Sequence, residues 1–547
     1  MLEGFTPWPK DVAERYRRRG YWRDRTLGEH LDAWAEVYGH RAAIVSGEQR
    51  VTYRRLQERV DRLALHLLQL ELEPGDRIVV QLGNVPEFVY LYFACAKIGV
   101  LPVMALPLHR FAEISYLADF SRATAYAAPA RIKDFDYSKL AREVRRAVPT
   151  LRRVLIAGDV DEEAIAFADL LADPIEQRVS LDRLAAARPD PGDVALFLLS
   201  GGTTGQPKLI PRTHNDYEYN SRVTGAVCGI GSDTVYLVVL PISHNFPLAS
   251  PGLQSVLQAG GTVVLTDSTE PMEAFALIER ERVTHTALVP ALTIRWMEAP
   301  ERERFDLSSL RVLQVGGAKL NAESARRIRP TLGCQLQQAF GMAEGLINYT
   351  RLDDPEREIV ETQGRPCSPD DEFRIVDDEG RDVQPGEPGH LLARGPYTIR
   401  GYWNAPEHNR RAFTADGYYR TGDVVRLDRS GNLAVEGREK DLINRGGEKI
   451  SAEEIENLIL GHPSVFNVAV VAMPDPILGE RTCAYVIPKP GASLTFQELV
   501  AFLKQQRIAT FKLPERLEVV EGFPLTSVGK VSKKELREDI ARKLKAV

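Results

Sequence analysis

Short apolar runs alternate with amphipathic helical stretches through most of this chain, and that alternation limits the fold more than any other feature. Strand-like segments include 77–82 (RIVVQL), 194–199 (VALFLL), 235–240 (VYLVVL), 261–265 (GTVVL) and 311–315 (RVLQV), with helical patterns such as Tyr53 to Leu70 between them. The rhythm predicts an α/β fold with a largely parallel sheet. At 547 residues the chain is too long for one ordinary core, so several subdomains are expected. From about Glu372 the texture changes to short strands with tight turns (FRIVDDEG, GHLLARG, VVRLDRSGN), the pattern of a smaller β-rich subdomain. After Gly437 comes a last α/β module, with a helix from Ala452, a strand VFNVAVVAM and a closing basic helix. The expected organisation is a large N-terminal core of α/β subdomains over 1–438, its β-rich subdomain at about 372–438, and a small mobile C-terminal α/β domain over 439–547.

Hydrophobic residues make up 44% of the chain and charged residues 27%, the proportions of a soluble globular protein. A net charge of −6 and a pI of about 6.0 argue against general nucleic-acid binding. The N-terminal MLEGFTPWPKDVAERYRRRGYW has an Arg cluster with no apolar stretch behind it, so no secretory signal is expected. The stretch 88–106 has the hydropathy of a membrane span, but Lys97, Gly99 and Pro102 suit a lipid-facing helix poorly. It reads instead as a helix from about Val85 to Ile98, capped by Asn84 and stopped at Gly99, then a buried strand. The five cysteines are an odd number, scattered and without metal-ligand spacing, which fits a reducing cytoplasm.

The most specific string is SGGTTGQPK, Ser200 to Lys208, directly after the strand ALFLL. Its small residues let backbone N–H groups approach phosphate oxygens, and its Ser, Thr and Lys side chains add donors. It is not a Walker loop, because Gly205 is followed by Gln206 and Pro207. A bare Gly-rich loop is usually an ordinary turn; this longer string is far more specific. In FGMAE (Phe340 to Glu344) a ring suited to stacking on a base precedes a carboxylate able to hold Mg²⁺ against phosphates. Gly316, Gly317 and Ala318 follow the strand RVLQV, where small residues let backbone line a ligand. YRTGD ends on Asp423, and a carboxylate accepting both ribose hydroxyls is a common nucleotide device. GREKD (437–441) and NRGGEK (444–449) set alternating charge at the expected domain boundary, and PLTSVGK ends on Lys530. Taken singly, these last strings would be solvated turns and a surface lysine.

Taken in order, the strings resemble the adenylate-forming superfamily of acyl-CoA synthetases, luciferases and peptide-synthetase adenylation domains. The likeness runs from about residue 195 to the C-terminus and rests on overall pattern before that. It implies an ATP-dependent enzyme that activates a carboxylic acid as its acyl-AMP, with Mg²⁺ on Glu344. By the same resemblance Ser200, Gly201, Gly202, Thr203, Thr204, Gly205 and Lys208 hold the ATP phosphates. Gly317, Ala318, Gln338, Ala339 and Phe340 complete the nucleotide site, and Asp423 and Arg438 meet the ribose or phosphate. Lys530 bridges the acid's carboxylate and the α-phosphate. Lys440 is the implied hinge, about which the C-terminal domain turns to bring Gly446, Gly447 and Lys449 inward for thioester formation.

The string HNFPLASPG, His244 to Gly252, resembles more narrowly the stand-alone aryl-acid AMP ligases of siderophore pathways. That resemblance puts His244 near the carboxylate and the leaving pyrophosphate, Asn245 on a ring 2-hydroxyl, Phe246 against the ring and Ser250 on a 3-hydroxyl. Gly316, Ala343 and Ile347 complete the implied pocket. ALPLHR (105–110) and GMAEGLINYTRLDD (341–354) have the same look, while Phe246 stands where some relatives have Tyr and Ile347 where Val or Leu is usual. The implied substrate is 2,3-dihydroxybenzoate ahead of salicylate. The implied acceptor is the phosphopantetheine thiol of a separate aryl carrier protein, as no carrier domain follows Val547. Free coenzyme A is the alternative acceptor, and a non-catalytic nucleotide-binding relative is the alternative of another class. Neither nucleic acid nor membrane is an expected partner, and the expected compartment is the cytoplasm.

Overall fold

The computed structural model describes residues 2–160, 163–200, 206–317, 319–320, 322–377, 379–438, 442–524, 531 and 533–545. Among these, two large sheets build the N-terminal domain. One has nine strands, with Ala42–Ser46, Thr262–Leu265, Val235–Val238, His285–Leu288, Val312–Val315 and Gln335–Met342 paired in parallel and antiparallel strands at both edges. The other has seven, with Val194–Leu199, Leu101–Met104, Arg77–Val80, Ala125–Pro129 and Arg153–Ala157 parallel and Leu209–Thr213 turning back beside Val194–Leu199. Covered on both faces, such strands read as apolar runs: Leu101–Met104 and Val312–Val315 are buried at every position, the latter with the one polar residue Gln314.

The apolar stretch after residue 85 is the helix Pro86–Ile98, buried at every position except Glu87. Its core cluster takes Val80 and Met104 from one large sheet and Tyr236 and Val238 from the other. Lys97 pairs with Asp32 and Asp61. Among the described residues no helix is long and apolar enough to cross a membrane. Gly99 ends the helix in the left-handed region (φ +69°), as expected. Asn84, however, is not its cap. The helix starts after Val85 with Pro86 in its first turn, and the Asn84 amide reaches across to the other sheet. Its Nδ2 donates to the carbonyls of Val238, Leu240 and Thr266 at 3.3, 3.1 and 2.8 Å, and its Oδ1 accepts from Ile242 N at 2.8 Å. The residue thus fixes the chain that leads to His244.

The β-rich part is a four-stranded antiparallel sheet of Glu372–Val376, Pro388–Arg394, Tyr419–Leu427 and Leu433–Arg438. The small C-terminal domain carries the hairpin Leu442–Arg445 and Glu448–Ser451. Its long strands Val465–Asp475 and Gly479–Pro488 pair antiparallel, and the helices Ala452–Leu460 and Lys533–Lys545 pack against Val465–Asp475. It buries apolar clusters of its own around Ile455 and Val470, and around Val471 and Ile540.

Candidate active site

A cavity of about 440 Å³ opens where the central parallel strands end, walled by residues of both domains. Crevices at the carboxyl ends of parallel strands are the usual ligand sites of open α/β sheets. His244, six residues beyond Val238, begins the short helix Asn245–Ala249, and its Nδ1 accepts from Phe246 N at 3.2 Å. Phe246 lies against Gly316: a Cβ at Gly316 would stand 3.2 Å from the Phe246 ring and 2.9 Å from Ala339 Cβ. Only a residue without a side chain leaves that wall open. Behind it, Asn245 Nδ2 donates to Ser250 Oγ at 3.3 Å, Asn220 Nδ2 donates to the same oxygen at 2.8 Å, and the Tyr217 hydroxyl donates to Asn245 Oδ1 at 2.9 Å. Ala343 and Ile347 also line the cavity, the latter 3% exposed.

Toward the nucleotide side, Ser200 closes the loop that leads to Lys208: its N donates to Lys208 O at 3.0 Å, and its Oγ accepts from Lys208 N at 3.1 Å. Glu344 is buried in the cavity wall with its carboxylate accepting from the Tyr402 hydroxyl at 2.8 Å. Burial drives the Tyr402 phenol well above its ordinary pKa, so it serves as a donor, and the Lys208 ammonium lies 6.0 Å from its ring centroid. Among the described residues no cation comes within ion-pair reach of Glu344, and no group of three or more His, Cys, Asp or Glu forms a metal cage. A lone carboxylate of this kind fits Mg²⁺, which takes one or two protein carboxylates and completes its shell with phosphates and water. Arg212, fully buried and paired to Asp216, donates to Ala343 O at 2.9 Å and so anchors the FGMAE segment.

Asp423 also faces the cavity, on a strand that sets it opposite Arg438. Ala339 and Phe340 line the wall, but the Gln338 side chain does not. It turns into the core, donating to Ile359 O and Val360 O at 2.6 and 3.0 Å. Gln363, a residue the sequence reading left out, lines the cavity instead. Gly201, Gly202, Thr203, Thr204, Gly205, Ala318, Lys440 and Lys530 lie outside the described residues, as do the side chains of Arg438 and Lys449.

The C-terminal domain closes the cleft. Asn444 Nδ2 donates to Gly317 O at 3.0 Å, and a Cβ at Gly317 would come within 3.6 Å of Gly447 Cα. Gly447 has φ +95°, and a Cβ there would meet Val289 Cγ1 at 2.6 Å. Lys512 is 5% exposed, joining Glu113 of the N-terminal domain at 3.3 Å and Glu454 of the C-terminal domain at 2.8 Å. Burial opposes ionisation of Glu113, but Lys512 and the backbone N–H groups of Arg110 and Ala509 hold its carboxyl below the usual range. Beside it, burial holds His109 down to a pKa of about 4, a neutral ring in the cavity wall. Nothing in the local sequence marks this cluster, since Glu113 lies 399 residues from Lys512.

Comparison with known proteins agrees with this geometry. A family model described as AMP-binding enzyme matches residues 31–403, and one described as AMP-binding enzyme C-terminal domain matches residues 454–530. The chain therefore belongs to the AMP-binding enzyme family, whose members use ATP. Within it, the chain is 54% identical over 546 residues to the 2,3-dihydroxybenzoate-AMP ligase of Bacillus subtilis (strain 168), covering 100% of this chain and 99% of that one. It is 55% identical over 550 residues to a salicylyl-CoA synthase / salicylate adenylyltransferase of Streptomyces sp, with 100% and 99% covered. The apo structure of MbtA from Mycobacterium smegmatis superimposes with a TM-score of 0.74 at 45% identity over 98% of each chain. These relatives put it among the stand-alone aryl-AMP ligases.

Proposed function

We propose that this enzyme adenylates an ortho-hydroxylated benzoate, 2,3-dihydroxybenzoate or salicylate, and passes the aroyl group to a thiol. The observation that carries this reading is the shared cavity, in which a wall of Phe246 packed on Gly316 stands in the same pocket as Glu344 and Asp423. An aryl carboxylate is ionised at neutral pH, so its attack on the α-phosphorus needs no general base. The protein contributes position and charge neutralisation as the carboxylate oxygen bonds to phosphorus and pyrophosphate leaves. Donors of the 200–208 loop and Lys530 act on that developing charge, His244 lies beside the carboxylate, and Asp423 holds the ribose. Glu344 with the nucleotide phosphates would hold Mg²⁺, which when bound supplies further neutralisation.

For the second step, the C-terminal domain turns about Lys440 at the 438/439 boundary. The seating of Gly447 against Gly317 supports reading the present orientation as the thioester-forming one. The acceptor is the pantetheine thiol of an aryl carrier protein. Free coenzyme A is the second reading, favoured by the name of the Streptomyces relative. An aroyl group with adjacent hydroxyl oxygens is a hard-donor ligand for ferric iron, which supports a place in siderophore biosynthesis. An ATP–pyrophosphate exchange panel across benzoates, followed by thioester assays with coenzyme A and with holo-carrier protein, tests both steps. Lys530→Ala should lower exchange by about 10²-fold or more yet still transfer from preformed aryl adenylate; equal loss in both assays would reject the two-orientation reading.

A further inference from the structure

We propose that Tyr217 is a positioning residue that decides which face of the Asn245 amide meets the ring, and thereby selects benzoates whose 2-substituent accepts a hydrogen bond. This rests on the aryl-acid reading of the pocket and deepens it. Tyr217 sits on the helix His214–Val227, is fully buried and does not line the cavity. Its ring is held under the Arg212 guanidinium, 4.8 Å from the centroid, and its hydroxyl has one acceptor among the described residues, Asn245 Oδ1 at 2.9 Å. Burial pushes the phenol pKa up, so the proton stays on.

A primary amide can turn over, exchanging its oxygen for its nitrogen, and the surrounding bonds decide which orientation wins. Were Asn245 reversed, its Nδ2 would donate to the Tyr217 oxygen and the Tyr217 proton would be buried with no acceptor. A buried donor without a partner is costly, so the orientation that satisfies Tyr217 predominates. With Oδ1 committed to Tyr217, Nδ2 carries two protons. One goes to Ser250 Oγ at 3.3 Å, and the other is left for the cavity that Asn245 lines. Ser250 Oγ already accepts from Asn220 and Asn245, so its own proton is what it can offer a ligand. The back of the pocket thus presents two donors.

That pattern matches an ortho-hydroxyl and rejects an ortho-amine. In salicylate the 2-hydroxyl proton bonds internally to the carboxylate, leaving oxygen lone pairs toward Asn245. In 2-aminobenzoate one N–H bonds to the carboxylate and the second points outward, while the nitrogen lone pair is delocalised into the ring. Two donors then face each other across the Asn245 contact. The two acids differ little in size, so shape alone separates them poorly.

The test measures kcat and KM for salicylate and 2-aminobenzoate in pyrophosphate exchange, with the wild-type chain and with Tyr217→Phe. The wild type should favour salicylate by about tenfold or more. Tyr217→Phe frees the amide to turn and should cut that ratio by about tenfold, raising KM for salicylate while lowering it for 2-aminobenzoate. A structural lesion would lower both acids together and leave the ratio unchanged, and that result would overturn the proposal. So would a wild type that uses the two acids equally, a measurement that needs no variant. Exchange with no benzoate at all would reject the substrate reading itself, a result distinct from either.

Discussion

Gly316 is tightly enclosed where Phe246 and Ala339 meet in the cavity wall. A methyl there meets Ala339 Cβ at 2.9 Å, Ala339 O at 3.2 Å and the Phe246 ring at 3.2 Å, so the ring must give way into the space the substrate needs. Gly316→Ala should therefore raise KM for the aryl acid by about tenfold, since overpacking and lost pocket volume act in the same direction. KM for ATP and the melting temperature should change little; a parallel rise in both KM values would mean that Gly316 shapes the whole cleft. Side chains marked by strings, Asn245, Ser250 and Glu344, line the cavity together with their neighbours in sequence, whereas Asp423 lines it without its own. The partners that orient them were not legible. Asn245 depends on Tyr217, 28 residues back, and Glu344 on Tyr402, 58 residues on. Ser250 shows the cost of that blindness. The sequence reading gives Ser250 only a ring 3-hydroxyl as partner, whereas two buried amides already serve its oxygen, and the discrimination it can exert narrows to its one proton.

At the scale of elements, periodicity located the parallel strands and the buried helix Pro86–Ile98, because a strand covered on both faces has no alternative to an apolar run. It misplaced Asn84, since a side chain that caps a helix and one that ties two sheets together look alike in sequence. The hairpin Leu442–Arg445 and Glu448–Ser451 is an element whose charge pattern alone reads as a solvated turn. Its tip reaches Gly317, and Gly447 meets that approach with a left-handed φ of +95° and no side chain. Gly447→Ala combines a strained backbone with a Cβ 2.6 Å from Val289 Cγ1. Because the hairpin is needed at the cleft only in this orientation, the variant should lose thioester formation by about 10²-fold or more, while pyrophosphate exchange stays within about threefold of wild type. Parallel loss of both activities would show that the hairpin also serves the first step.

Across the whole molecule, the domain orientation is held by contacts on opposite sides of the cleft. Asn444 reaches Gly317 on one side; on the other, Ala509 N donates to Glu113 at 3.1 Å, Arg507 pairs with Glu143, and Lys512 bridges Glu113 and Glu454. Breaking a buried ion pair from one side costs about 3–5 kcal/mol because the remaining charge is stranded. Lys512→Met should thus empty this orientation, sparing adenylation and suppressing thioester formation. Glu448, on the hairpin and in the cavity wall, makes the same equilibrium depend on pH. Burial lifts its pKa to about 7, against the opposing pull of Lys512 and Arg445. Rotation away would expose the carboxyl and return it to the ordinary carboxylate range near 4.3. Between those values the docked orientation binds the additional proton, so docking is favoured as pH falls through about 7 and weakened as pH rises through it. Burial raises Glu454 in the same direction. Glu113, held low, and Lys512, raised by its two carboxylates, stay charged throughout that window and add no slope. A pair of fluorophores, one on each domain, should therefore report a docked fraction that declines from about pH 5 to about pH 7 and levels off above, and Glu448→Gln should flatten most of the decline. A docked fraction that grows with pH, or a decline untouched by Glu448→Gln, would remove Glu448 from the linkage.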